Sequence, residues 1–321
     1  MGEQQDVYTR VTNKIIADLE KGELTWRQPW KAGHAAGPIT KPLRYNGERY
    51  RGINVLMLWA WSLEKGFVAP IWMTFKQASA LGASVRKGEH GSLVVFASKM
   101  TKTGQDDNGE EVEREIPFLK GYTVFNVEQI KDLPAHYYAR VEPVYSSPLE
   151  RVESAERFFA ATGAVIRHGG NRAFYRITED FVQMPELQTF RDAESYYAVA
   201  AHEITHWTRH PTRLERDFGR KRFGDEGYAM EELVAEIGAA FLCADLELTP
   251  EPREDHAAYI ASWLKALKED KRAVFVAASH AQKAADLLHS YQQPPAACEP
   301  HRPTASQPGE GFPEKQPRWS F

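Results

Sequence analysis

The sequence predicts an α+β protein of two domains, and three observations carry that prediction. With 321 residues the chain exceeds the usual size of one domain. The front reads as helices followed by strands, whereas the part beyond residue 148 reads as a helix, short strands and then more helices. Between them, "DLPAHYYARVEPVYSSP" has three prolines and no apolar period, the mark of a connection. The predicted division is a first domain over residues 1–135, a linker over 136–148, a second domain over 149–292 and a disordered tail over 293–321.

Taken in order, "DVYTRVTNKIIADLEKG" predicts an amphipathic helix capped by Asp6 and ended by Gly22, with Val7, Val11, Ile15 and Leu19 on one stripe. An aromatic, basic stretch broken by Pro and Gly follows, "TWRQPWKAGHAAGPITKPLRYNGERYRG". "INVLMLWAWSLEKG" predicts a second helix stopped by Gly66, and "TFKQASALG" a third, with Thr74 as cap and Gly82 beyond its end. "SLVVFASK" and "FLKGYTVFNVEQI" predict strands joined by an acidic polar loop. The second domain opens with the helix "LERVESAERFFAATG". Three short strand-like pieces, the helix "AESYYAVAAHEITHW", a basic loop, the helix "YAMEELVAEIGAAFLCADLE" and two more helices complete it. The Pro-rich remainder is too poor in aliphatics to fold.

Composition narrows the class. A 42% hydrophobic content and a formal net charge of -4 suit a soluble globular protein. No apolar run approaches the roughly 20 residues that span a bilayer. The first residues lack a signal-peptide layout, and Asp6 breaks a myristoylation pattern, so no membrane attachment and a cytoplasmic location are expected. Two cysteines, Cys243 and Cys298, make no disulfide framework. Residues 1–100 nevertheless hold 14 Lys and Arg against 8 Asp and Glu, a basic bias that hints at a polyanion-binding half.

"AAHEITHWTRHP" contains His202, Glu203 and His206 in the order H-E-x-x-H. On a helix, residues four apart share a face, so both imidazoles can aim at one ion. Glu203 then stands beside the ligands, placed to take a proton from water and pass it to a leaving amine. The flanks are apolar, which would leave the charged trio half buried without a partner, and a cation removes that cost. A longer HExxHxxGxxH pattern is absent, because Thr212 occupies the position of its last His, and His210 next to Pro211 falls where the helix should end. The third ligand is instead expected from "EELVAE", where Glu232 and Glu236 load one face of an otherwise apolar helix. Glu232 is the expected ligand and Glu236 the partner that orients a ligating His, with Glu231 and Asp225 as alternatives. Two imidazoles and one carboxylate suit Zn2+ without excluding Mn2+ or Co2+.

The run from "YYAVAAHEITHWT" through Arg213–Gly219 to "FGDEGYAMEELVAEIGAAFLCA" resembles the C-terminal domain of ArdC-type antirestriction proteins of conjugative plasmids. That resemblance implies a zincin-like, gluzincin-type metallopeptidase module. His202, His206 and Glu232 would be its ligands and Glu203 its general base and acid.

The front half interleaves aromatic and basic residues. Trp26, Trp30, Tyr45 and Tyr50 alternate with Arg27, Lys31, Arg44, Arg49 and Arg51, and Trp72, Phe75, Lys76, Arg86 and Lys87 follow. This mixture holds single-stranded nucleic acid, bases stacking on rings while cations follow the backbone. Trp59 and Trp61, inside an apolar helix, are expected in the core, whereas core and stacking are equally open for Trp26, Trp30 and Tyr50. "W-x-x-P-W", "Y-R-G-I-N", "W-x-T-F-K-Q-A" and "V-R-K-G-E" are similar to the N-terminal domain of the same family, which also fronts TraC-type primases. That likeness favours stacking and implies an ssDNA-binding module. Its expected DNA-binding residues are Trp26, Arg27, Trp30, Tyr45, Arg49, Tyr50, Arg51, Trp72, Lys76, Arg86 and Lys87. The expected function is antirestriction, holding single-stranded DNA during conjugation and shielding it from host nucleases. A host restriction protein or another DNA-bound protein is a further expected partner. The alternatives are a DNA-tethered metalloprotease and a DNA-binding module with a structural metal. Residues 1–135 are expected to fold and bind DNA alone.

Overall fold

The computed structural model describes residues 6–24, 26, 40–105, 111–138, 147–219, 226–248 and 256–292. The predicted tail, Arg27, Trp30 and Asp225 lie outside the described residues. Helix α1 (Val7–Glu20) starts where Asp6 accepts the Thr9 N–H at 3.0 Å, and its buried stripe includes Val11, Ile15 and Leu19. Helix α2 (Ile53–Lys65) buries an unbroken run from Val55 to Ala60 and closes at Gly66, whose φ of 74° is a left-handed C-terminal turn that glycine adopts without strain. Helix α3 (Phe75–Ala80) opens on a reciprocal cap: Gln77 N–H donates to Thr74 Oγ1 at 3.2 Å, and Thr74 N–H to Gln77 Oε1 at 2.8 Å.

Strands β1 (Leu43–Arg44), β2 (Ile71–Met73), β4 (Ser92–Gln105) and β5 (Glu111–Asn126) form one sheet in the order β1-β2-β5-β4. Strand β3 (Ser84–Val85) pairs separately with β6 (Ile130–Lys131). The β4–β5 register runs from Ser92↔Val124 to Gln105↔Glu111, so pairing continues through most of the segment expected as a polar loop. A 3-10 turn at Ala135–Tyr138 buries Tyr137 among Met73, Ile130 and Leu133, so the first residues of the expected linker pack with the front half.

The second half begins at α4 (Pro148–Ala161), where Glu150 N–H donates to Ser147 Oγ. Strands β7 (Val165–His168), β8 (Phe174–Arg176) and β9 (Phe181–Met184) form a small sheet in the order β7-β9-β8. Four helices follow: α5 (Ala193–Trp207), α6 (Glu226–Asp245), α7 (His256–Glu269) and α8 (Ala273–Ser290). Helix α6 lies centrally, with α5, α7 and α8 all packed on it.

One apolar core runs through both halves. Trp26 meets Trp263 edge-on at 5.9 Å, Trp59 meets Phe241 at 6.1 Å, and Tyr8 meets Phe275 at 4.7 Å. Polar ties reinforce this. Thr12 Oγ1 donates to Lys271 O at 2.6 Å, and Gly52 N–H donates to Gln282 Oε1 at 3.0 Å. The shared core bears against independent folding of residues 1–135, because Trp26 and Trp59 find partners beyond residue 240. Among the described residues no helix is long and apolar enough to cross a membrane.

Candidate metal centre

Asp192 caps α5, its Oδ1 accepting the Ser195 N–H at 2.7 Å, and so fixes the register of the buried segment Ala200–Trp207. Helix α6 crosses it closely at Gly238, where an added Cβ would lie 2.5 Å from Thr205 Cγ2. This approach faces His202 and His206 toward the carboxylates of α6. The two Nε2 atoms stand 3.2 Å apart. Glu232 Oε2 is 3.5 Å from His202 Nε2, and Glu232 Oε1 is 3.6 Å from His206 Nε2. One donor atom from each of the three residues lies within 4.8 Å of the others.

These spacings fit a metal. Ligands about 2.0–2.1 Å from a tetrahedral ion stand roughly 3.3 Å from one another, close to the three separations above. The outward imidazole nitrogens also face carboxylates. Glu236 Oε1 lies 3.3 Å from His202 Nδ1, and Glu231 Oε1 lies 3.0 Å from His206 Nδ1. Carboxylates on both Nδ1 atoms leave both Nε2 atoms for an ion. Glu231 is gripped in turn by the fully buried Arg216 side chain, whose Nε and Nη2 donate to its two oxygens at 2.8 Å each. Arg216 also donates to Thr205 O and Thr208 Oγ1, both at 3.0 Å, and thus ties the loop after α5 to the end of that helix.

The electrostatics agree. Burial opposes the charge of Glu231, yet Arg216 and His206 hold its carboxyl down at about 2. Burial likewise opposes Glu232, which His206 and His202 keep well below the usual carboxylate range. Burial would lower His206, but Glu232 and Glu231 raise it to about 10. The cluster of carboxylates therefore demands positive charge between the imidazoles. Glu203 is buried on the same helix, one residue past His202. Burial, Tyr259 (3.2 Å between hydroxyls) and Glu232 raise the Tyr228 phenol, keeping it a proton donor beside Glu232.

Of the alternatives to Glu232, Glu231 faces the outer nitrogen of His206, and His210 bonds Thr212 on an exposed turn. Sequence reasoning missed Arg216, read as part of a basic loop, and Gly238. The signal for both was position: Arg216 follows the HExxH by ten residues, and Gly238 stands two residues after Glu236.

The expected DNA-binding residues divide. Trp26, Tyr50 and Trp72 are buried and present no ring face to a base, a correction to the stacking expectation. Trp26 packs on Trp263, Trp72 on Phe67, and Arg44 lies over the Tyr50 ring. Arg49 pairs with Asp245 at 2.7 Å and Arg51 with Asp286, so both guanidinium groups already meet carboxylates of α6 and α8. Tyr45, Lys76, Arg86 and Lys87 are exposed.

Known proteins match this chain in two parts. Residues 153–280 match the family model of a zincin-like metallopeptidase, and residues 5–125 match the N-terminal domain of anti-restriction factor ArdC. The uncharacterized protein y4eC of Sinorhizobium fredii is 47% identical over 292 residues, covering 89% of this chain and 92% of that one. DNA primase TraC of Escherichia coli is 42% identical over 302 residues, 89% of this chain but 27% of the primase. The chain thus spans about a quarter of that primase. The metal-free crystal structure of antirestriction protein ArdC from plasmid R388 superposes with a TM-score of 0.74 at 49% identity, over 89% of this chain and 98% of that one. Its Mn(II)-bound form gives 0.72 at 47% identity, with the same coverage.

Proposed function

This chain belongs to the ArdC family of antirestriction proteins, and on that footing we propose that it holds single-stranded DNA during conjugation and shields it from host restriction nucleases. It is an ArdC-like protein with a zincin-like domain. The match of the front half to the ArdC N-terminal domain supports DNA binding, as does the likeness to part of a DNA primase.

The convergence of His202, His206 and Glu232 carries the metal half of this reading. A divalent ion there, Zn2+ in this proposal, supplies Lewis-acid polarisation of a carbonyl and a lowered pKa for water. Glu236 and Glu231 face the outer nitrogens of the two imidazoles and Arg216 fixes Glu231, while Glu203, beside His202, would move a proton there. Among the described residues the donor group has three members, not the four of a closed structural site. That favours, as a second reading, a peptidase acting on proteins at the DNA.

The test is direct. Full-length protein should bind a labelled single strand in preference to duplex at low salt, and should hold one equivalent of divalent metal. No binding to the single strand at low salt overturns the DNA reading, and an empty site in metal-supplemented protein overturns the metal reading.

A further inference from the structure

With Trp26, Tyr50 and Trp72 buried, any ring that stacks on a base must be another one. Five exposed large aromatic residues stand out among the described residues: Tyr45 at 39%, Phe75 at 58%, Phe96 at 51%, Tyr122 at 40% and Tyr138 at 45%. All five precede residue 139, so among the described residues the half with the metal centre contributes none. Tyr138 has its hydroxyl tied to Ile130 O and Leu133 N–H, which leaves it a local structural explanation. Phe96 and Tyr122 differ in that they sit together, 6.4 Å apart and nearly perpendicular.

Their position follows from register. Phe96 pairs with Lys120 and Val94 with Tyr122, so all four side chains project from one face of the β4–β5 ribbon. Val94 is buried and Phe96 is exposed, which marks the point where the hairpin leaves the core. Lys120 Nζ lies 5.2 Å from the Tyr122 ring centre, placing a cation beside the exposed rings. An extended peptide could also use such a place by pairing with β4, the last strand of its sheet. Asn54 obstructs that: its Oδ1 accepts the Val95 N–H at 2.7 Å, and its Nδ2 donates to Val95 O at 2.8 Å. The backbone beside Phe96 is therefore satisfied, and what remains available is ring face and positive charge.

We infer that Phe96, Tyr122 and Lys120 form a base-stacking platform for single-stranded DNA, the two rings taking unpaired bases and the ammonium an adjoining phosphate. Bases inside a duplex cannot reach such rings, so the platform selects unpaired strands. This deepens the reading of the front half as a holder of single-stranded DNA and rests on it.

The experiment uses the full-length chain and a labelled oligothymidylate, read by fluorescence anisotropy across a salt series. Phe96→Ala and Tyr122→Ala should each weaken binding, by about 5- to 150-fold for a ring that carries a base. Phe96→Tyr should retain most of the affinity, as the ring persists. Lys120→Gln should lower the slope of log affinity against log salt by about 0.7, one phosphate on a single strand. Thermal melting and metal content should match the parent in every variant, since these side chains lie at the surface. A parent protein that binds no single strand at low salt overturns the DNA reading and the platform with it. A parent that binds, with Phe96→Ala and Tyr122→Ala both within about twofold of it, overturns the platform alone. Should the alanine variants melt early, Phe96→Tyr and Lys120→Gln still decide: lost affinity in the first or an unchanged slope in the second refutes the assignment.

Discussion

Replacing Gly238 by Ala should disable the metal centre without touching a ligand. The new Cβ would stand 2.5 Å from Thr205 Cγ2 and 2.9 Å from Thr205 Oγ1. Carbon atoms in contact prefer about 3.5–4.0 Å, so the helices must part by roughly 1 Å at this crossing. Thr205 cannot simply rotate away, because its Oγ1 donates to Ala201 O at 2.7 Å. Metal sites tolerate displacements of about 0.2 Å in their ligands, and Thr205 adjoins His206 while Gly238 stands on the helix of Glu232. Overpacking costs about 1–3 kcal/mol, but Ala in place of a helical Gly returns about 1 kcal/mol. Melting temperature should therefore move little, whereas metal affinity should fall by at least about tenfold, or 1.4 kcal/mol. Competition with a fluorescent chelator measures that affinity. Thr205→Ala added to Gly238→Ala removes the two contacts under 3.0 Å, leaving Thr205 Cβ at 3.3 Å, and should restore most of it. A Gly238→Ala protein that binds metal as the parent does, with a raised melting temperature, would refute the close-crossing argument.

Glu203→Gln should retain metal and abolish any peptidase activity, so a metal-depleted Gln variant contradicts the role given to Glu203. Glu232→Ala should lose the metal outright, whereas Glu231→Gln should weaken it through a loosened His206; stoichiometric metal in Glu232→Ala would mean the wrong carboxylate was chosen. In the metal-free protein, burial lowers His206 but Glu232 and Glu231 lift it from 6.5 to about 10. The stability it adds is therefore fully present below pH 6.5 and lost as the pH rises through about 10. The same proton must leave when a metal binds, so affinity should climb over that interval, and a flat pH profile in calorimetry would count against it. A fragment of residues 1–135 should lack the melting transition of the full chain, since Trp26 and Trp59 lose Trp263 and Phe241. A sharp transition of the fragment at the full-chain temperature would overturn the shared core.

Local chemistry made much of this molecule legible. Asp6 and Thr74 both cap the helices that follow them, as expected, because a cap depends on residues only three apart. The placement of Glu232 and Glu236 was readable for the same reason: one turn apart on an apolar helix, they had to face something charged. Long-range choices were not readable. Trp26 sits in a polar stretch broken by Pro and Gly, which argues for exposure, yet its partner Trp263 lies 237 positions later in the chain. Arg49 and Arg51 read as phosphate ligands because no sequence window contains Asp245 or Asp286. Phe96 and Tyr122 passed unnoticed because strand alternation alone does not show where a hairpin leaves the core.

Asp245 shows how closely the halves depend on each other. It ends α6, whose earlier turns carry Glu231, Glu232 and Glu236. Its buried carboxylate receives Lys41 at 2.6 Å, Arg49 at 2.7 Å and His289 Nε2 at 3.0 Å. Burial opposes its charge, but His289 and Lys41 hold its carboxyl below the ordinary aspartate value. Lys41 is itself buried, which pulls its ammonium down despite Asp245. Neither charge is tolerable without the other, and removing one partner of such a pair costs about 3–5 kcal/mol. Two of the three donors come from the front half, so that half supplies the counter-charge that fixes one end of the metal helix, while α5 fixes the other through Gly238 and Thr205.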